Sequence, residues 1–182
     1  VRTLRFALPA SGAVLIAAYA LFMQRSISLS WANEKVEVTG ISMMLTAQGA
    51  DHTAGNLPAF ECKGKSTEQL VTASLGAQVS AAAADSLGFC IFGRSVTATN
   101  PQLIVSALND AHGTQLEESF VRTIGLEVLE MERKFNRLAG FTDHDDELPD
   151  FFYLEPLAPT GNVARHHATE VNRCLGDLIR HA

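Results

Sequence analysis

The chain has 182 residues, enough for one domain or two small ones. Fourteen Lys and Arg against twenty Asp and Glu give a net charge of −6 and a pI near 5.5, so nucleic acid is not an expected partner. With 47% hydrophobic and 19% charged residues the chain is too apolar for disorder, and three cysteines exclude a disulfide scaffold. Reduced thiols, or a thiol used as a metal ligand, point to a cytoplasmic setting.

Phe6 to Met23 is an uncharged run of eighteen residues, preceded by Arg2 and Arg5. That length is the lower limit for a membrane span. A signal or anchor and a buried Ala-rich helix are both compatible with it. From Gly40 to Asn56 a helical apolar piece gives way to a glycine-punctuated loop, and Leu57-Pro58 closes it. Ser66 with Gln69 forms a capping box that opens a helix carrying Leu75, Val79 and Ala82, with Gly88 ending it. Asn100-Pro101 starts the next helix, which bears Ile104 and Leu108 and stops at Gly113. A longer helix is predicted from about Gln115 to Leu138. Leu116, Phe120, Ile124, Val128, Met131, Phe135 and Leu138 form its apolar stripe. Gly125 interrupts that helix, and a close helix crossing explains it. Gly140 is the terminating left-handed residue. The acidic run Asp143 to Glu147 lacks EF-hand spacing and reads as a solvated turn. Two prolines follow, and Val163 to Ala182 reads as a last helix. Strand signals are few, so the fold class is mostly α.

Three positions invite chemistry. Cys90, between Phe89 and Ile91, is either a small core hydrophobe or a thiolate ligand. Asp85 either terminates its helix or accepts hydrogen bonds from a planar, amine-rich ligand such as a pterin, with Gly88 beside it. His52, in Gly-Ala-Asp-His, is a turn histidine or a proton carrier. His166-His167 reads as surface. No P-loop, GxSxG, GxGxxG or CxxC is present.

These residues also fit a family pattern. Asp85-Ser-Leu-Gly-Phe-Cys90 resembles the D-x-x-G-L-C segment of the tungsten-containing aldehyde ferredoxin oxidoreductases, with Phe89 in place of leucine. Glu132-Arg-Lys-Phe-Asn136, Gly140-Phe141, Asp146-Glu-Leu-Pro149 and Glu155-Pro-Leu157 are similar to that family's carboxyl-terminal pattern in order and spacing. Gly49 to His52 is similar to the segment that supplies an active-site histidine. The resemblance spans about 39–162, leaving 1–38 as an unassigned apolar leader and 163–182 as a divergent helical tail.

The resemblance implies helical carboxyl-terminal domains of an oxidoreductase. It implies oxidation of an aldehyde to a carboxylic acid at a tungsten or molybdenum bis-pterin centre, with electrons leaving through a [4Fe–4S] cluster to ferredoxin. It gives Cys90 the role of the cluster's fourth ligand. Asp85, with the backbone around Gly88 and Phe89, takes that of pterin contact, and His52 that of proton transfer. The family's C-x-x-C-x-x-x-C run, a second D-x-x-G-L element and the first domain have no counterpart in the sequence. The expected partners are therefore an aldehyde, ferredoxin and a missing amino-terminal portion. The contrasting expectation is a non-catalytic helical module, anchored at 6–23, or a gene remnant.

Overall fold

The computed structural model describes residues 36–49, 53–55, 57, 59–93, 99–156 and 161–180. The apolar run at 6–23 and His52 lie outside them. Helix α2, Thr67–Ser86, is the axis on which α1 (Val36–Leu45), α4 (Ser119–Ala139) and α6 (Ala168–Arg180) pack. Helix α3 (Pro101–His112) lies on α4, and α5 (Phe151–Leu154) is a single turn. No strand occurs among the described residues, so the fold is mostly α, as expected.

The start of α2 follows the sequence closely. The Gln69 N–H donates to Ser66 Oγ at 3.3 Å, and the Ser66 N–H donates to Gln69 Oε1 at 3.1 Å, satisfying two donors that a helix start leaves unpaired. Leu70, Val71, Leu75 and Val79 then face a core shared with Val38, Ile41 and Leu45 of α1 and Val171 and Leu175 of α6. Within that core runs one polar chain. The Ser42 and Ser74 hydroxyls are 2.7 Å apart, Gln78 Nε2 donates to Ser74 Oγ at 2.9 Å, and Ser42 Oγ donates to the Gly55 carbonyl at 3.0 Å. A Cβ on Gly55 would come within 2.6 Å of the Gln78 side chain, so only glycine lets the loop at 53–55 approach α2 this closely.

Helix α4 crosses α2 at Gly125, where an added Cβ would stand 2.3 Å from the Val79 carbonyl oxygen. The close approach read from this glycine is therefore present. The helix begins at Ser119, later than predicted, because Asn109 holds the preceding loop. Its Oδ1 accepts from the Leu116 N–H at 2.8 Å and its Nδ2 donates to the Leu116 carbonyl at 2.9 Å. The buried face of α4 is Val121, Gly125 and Leu129. The predicted stripe runs along a different face. Its first part, Leu116, Phe120 and Ile124, packs with Ile104 and Val105 of α3, whereas Met131, Phe135 and Leu138 are exposed.

Candidate functional site

The carboxyl end of α2 is built by a six-residue turn. The Phe89 N–H donates to the Ala84 carbonyl at 2.9 Å and the Gly88 N–H to the Asp85 carbonyl at 3.1 Å. Gly88 has φ +71°, the left-handed conformation this turn requires and glycine adopts freely. The pattern D-x-x-G-[apolar]-C is thus a helix stop. It spends the backbone of Asp85 and Gly88 on the turn and delivers the next residues to the surface. Cys90 is exposed, so it is not a core hydrophobe, and Phe89 is 39% exposed. The chain then folds back in a 3₁₀ turn, Ile91–Gly93, with the Gly93 N–H on the Cys90 carbonyl at 2.7 Å.

The Asp85 residue also lines a shallow, water-sized cleft, together with Thr46, Gln78, Ala81, Leu129 and Glu132. Ala54, two residues from His52, lines the same cleft. Residues 53–55 and the carboxyl end of α2 are therefore neighbours, held by the Ser42–Ser74–Gln78 chain and the tight fit of Gly55. The other thiols stand apart in character. Cys62 is buried, with its sulfur 3.6 Å from the Phe60 carbonyl, and burial pushes the Cys174 thiol up from its ordinary pKa. Among the described residues no three His, Cys, Asp or Glu side chains group as a metal site. Cys90 thus has the exposure a cluster ligand needs, and any companion ligands stand outside the described residues.

Sequence reading missed what the carboxyl-terminal motifs do. Helix α1 has no basic residue in its last turn. Arg133 supplies the cation from α4, donating from Nη1 to the Leu45 carbonyl at 3.0 Å, and Asn136 Nδ2 donates to the Ala47 carbonyl at 2.7 Å. Arg133 Nη2 also donates to Asn172 Oδ1 at 2.6 Å, and Asn172 Nδ2 to Asp146 Oδ2 at 2.9 Å. Burial lowers the guanidinium's pKa, and Asp146 works against that change. Burial likewise raises the Asp146 carboxyl, with Asn172 and Arg133 opposing.

Glu147 caps the start of α6. Its Oε2 accepts from the Ala168 N–H at 3.2 Å and faces His167 Nδ1 at 3.3 Å. Its Oε1 accepts from Tyr153 Oη and from the Leu148 N–H at 3.0 Å. Only part of the predicted solvated turn is therefore solvated. Asp143 and Asp145 are exposed, while Asp146 and Glu147 are half-buried and bonded. The expected surface pair splits as well. His166 Nδ1 lies 3.1 Å from Thr67 Oγ1 with its Nε2 buried, whereas His167 is exposed and stacks on Tyr153 at 4.4 Å. A polar residue inside an amphipathic helix, opposite a helix end lacking its own cap, was the available signal.

Glu147 carries a pH prediction. Burial opposes its ionisation, but the hydrogen bonds from Tyr153, Ala168, Leu148 and His167 outweigh it and hold the carboxyl below its ordinary range. A depressed carboxylate stabilises the fold above its unfolded pKa, and that contribution is lost as pH falls through the folded value. The melting temperature is expected to fall between about pH 5 and pH 3, a window set by the ordinary Glu pKa. It should fall less steeply in Glu147→Gln, as followed by circular dichroism. Parallel curves would refute the cap.

The structure defines a helical module that presents a thiol and a carboxylate at one helix end, beside a glycine-rich loop. The family described as aldehyde ferredoxin oxidoreductase, domains 2 and 3, matches residues 28–179. The chain belongs to this family of oxidoreductases. No curated protein and no solved structure matches it. Among the described residues no helix is long and apolar enough to cross a membrane.

Proposed function

We propose that this chain forms the helical, carboxyl-terminal side of a cytoplasmic enzyme that oxidises an aldehyde to a carboxylic acid and passes the electrons to ferredoxin. The observation that carries the reading is that Asp85, which opens the D-x-x-G-F-C turn, and Ala54, two residues from His52 in the chain, stand close together, with Cys90 exposed at the same helix end. A bound tungsten or molybdenum bis-pterin centre with a [4Fe–4S] cluster supplies the oxidation of the aldehyde by water and the one-electron exit.

The chain's own residues bind and position. Asp85 accepts hydrogen bonds from the N–H edge of a pterin, a role suited to an exposed carboxylate whose backbone is fixed by a helix stop. Cys90 offers one thiolate and follows that carboxylate by five residues, so pterin and cluster would be held by one rigid turn. Three more cluster ligands must come from outside the described residues. His52 takes the role of proton carrier for the substrate.

The test is purification of the protein from its native source under anaerobic conditions, with any polypeptide that accompanies it. Tungsten or molybdenum, pterin and a reduced-cluster electron paramagnetic resonance signal are expected. Cys90→Ser should abolish the regular cluster signal while the helical circular dichroism is unchanged. Absence of pterin and metal, or a cluster indifferent to Cys90→Ser, overturns the reading. The chain alone, supplied with iron and sulfide, is expected not to assemble a stoichiometric cluster.

A further inference from the structure

The carbonyls of Leu45, Thr46 and Ala47, where α1 ends, each have a donor. The middle one is met locally, by the Gly49 N–H at 3.0 Å. The other two are met from α4, Leu45 by Arg133 Nη1 at 3.0 Å and Ala47 by Asn136 Nδ2 at 2.7 Å. Thr46 Oγ1 donates to the Gly49 carbonyl, and Gly49 stands at φ +83°, where a side chain would be strained. The turn at 46–49 is thus closed by its own atoms and pinned to α4. A few residues on, the chain is pinned again. The Ser42 hydroxyl donates to the Gly55 carbonyl at 3.0 Å, and Gly55 leaves no room for a Cβ beside Gln78. His52 is joined to Gly49 by three peptide links and to Thr53 by one, so these two anchors bound its reach.

The two donors from α4 differ in kind. Arg133 also binds Asn172, so its loss reaches α6. Asn136 is half-buried and spends its amide on Ala47. Asparagine is a weak helix former, yet this one lies inside α4, within a turn of its end. Leucine or alanine would serve the helix better. The bond to Ala47 accounts for the asparagine, and the carbonyl it holds belongs to the segment that leads to His52.

We infer that Asn136 is a positioning residue: its amide fixes the start of the 46–55 segment and thereby the placement of His52 for proton transfer. The inference rests on the proposed role of His52. A proton carrier works only within hydrogen-bond reach of the proton it moves, and a small misplacement slows the step without weakening substrate binding.

The test uses the enzyme produced in its native host as wild type, Asn136→Leu, Asn136→Gln and His52→Gln. Acetaldehyde and benzaldehyde are the substrates and a viologen dye is the acceptor. Leucine branches at the same atom as asparagine, favours the helix and lacks the donor. Glutamine keeps the donor on a longer arm. In Asn136→Leu, backbone hydrogen exchange across 46–55 is expected to quicken about tenfold, the scale of one hydrogen bond lost from a local opening. Exchange in α2 and α6 should not change. The kcat should fall about tenfold with KM within about twofold of wild type, and metal, pterin and cluster content should be unaltered. Asn136→Gln should recover part of both losses. Unchanged exchange at 46–55, or a quickening spread evenly over the helices, overturns the inference. A kcat that drops in His52→Gln but holds in Asn136→Leu overturns it and leaves the role of His52 standing. A kcat indifferent to His52→Gln, or a wild type inert to both aldehydes, overturns that role and the positioning of it together.

Discussion

Gly125→Val is expected to lower the melting temperature by roughly 6–12 °C, the equivalent of about 3 kcal/mol in a chain of this size. The obstacle is backbone. A Cβ at this position meets the Val79 carbonyl oxygen at 2.3 Å and its carbon at 3.0 Å, and neither can rotate away. The α2–α4 crossing must widen, which uncovers Leu75, Val79 and Leu129 together. Helix propensity acts the other way, since alanine is favoured over glycine by about 1 kcal/mol. Gly76 isolates that term. It lies in α2, is exposed, and an added Cβ there meets nothing within 4 Å. Gly76→Ala should therefore raise the melting temperature while Gly125→Ala lowers it. Equal gains from both would show that the crossing yields easily and the argument is wrong.

The second large effect is expected at Arg133. Arg133→Met keeps much of the apolar stem but removes both donors, leaving the Leu45 carbonyl and Asn172 Oδ1 without their partner in a half-buried site. Leaving such acceptors without a donor costs about 1–3 kcal/mol. Asp146→Asn should cost less, because burial already disfavours that carboxylate. The two losses should also fail to add. A double variant should fall short of their sum by about 0.5 kcal/mol or more, the usual mark of groups in one network. Additive losses in chemical denaturation would mean that Asn172 does not connect them.

Local signals were legible in the sequence and long-range ones were not. Ser66 and Gln69 stand three residues apart and do what that spacing implies. Gly140 terminates α4 in the left-handed conformation, with φ +97°. Gly125 announced a close crossing but could not name Val79 as the far side. The long stripe of α4 was visible, yet periodicity could not tell which apolar face would be buried, because α4 has two. Asp85 and Cys90 were legible as a pattern and Gly88 as the turn that makes it. The exposure of Cys90 was not legible, since Phe89 and Ile91 flank it with the same apolar character as a core strand or helix. Arg133, Asp146 and Asn172 were invisible as a unit. Their chain separations are set by how α4 and α6 pack, and no spacing rule encodes that.

The Arg133–Asn172–Asp146 network and the Glu147 cap bear on how this lineage is to be followed through evolution. Arg133, Asn172, Asp146 and Glu147 tie α1, α4 and α6 together. A descendant that abandoned redox work would still need them to avoid collapse. An intact fold is thus evidence of architecture alone, and redox work has to be demonstrated separately, by the metal, pterin and cluster content of the purified protein.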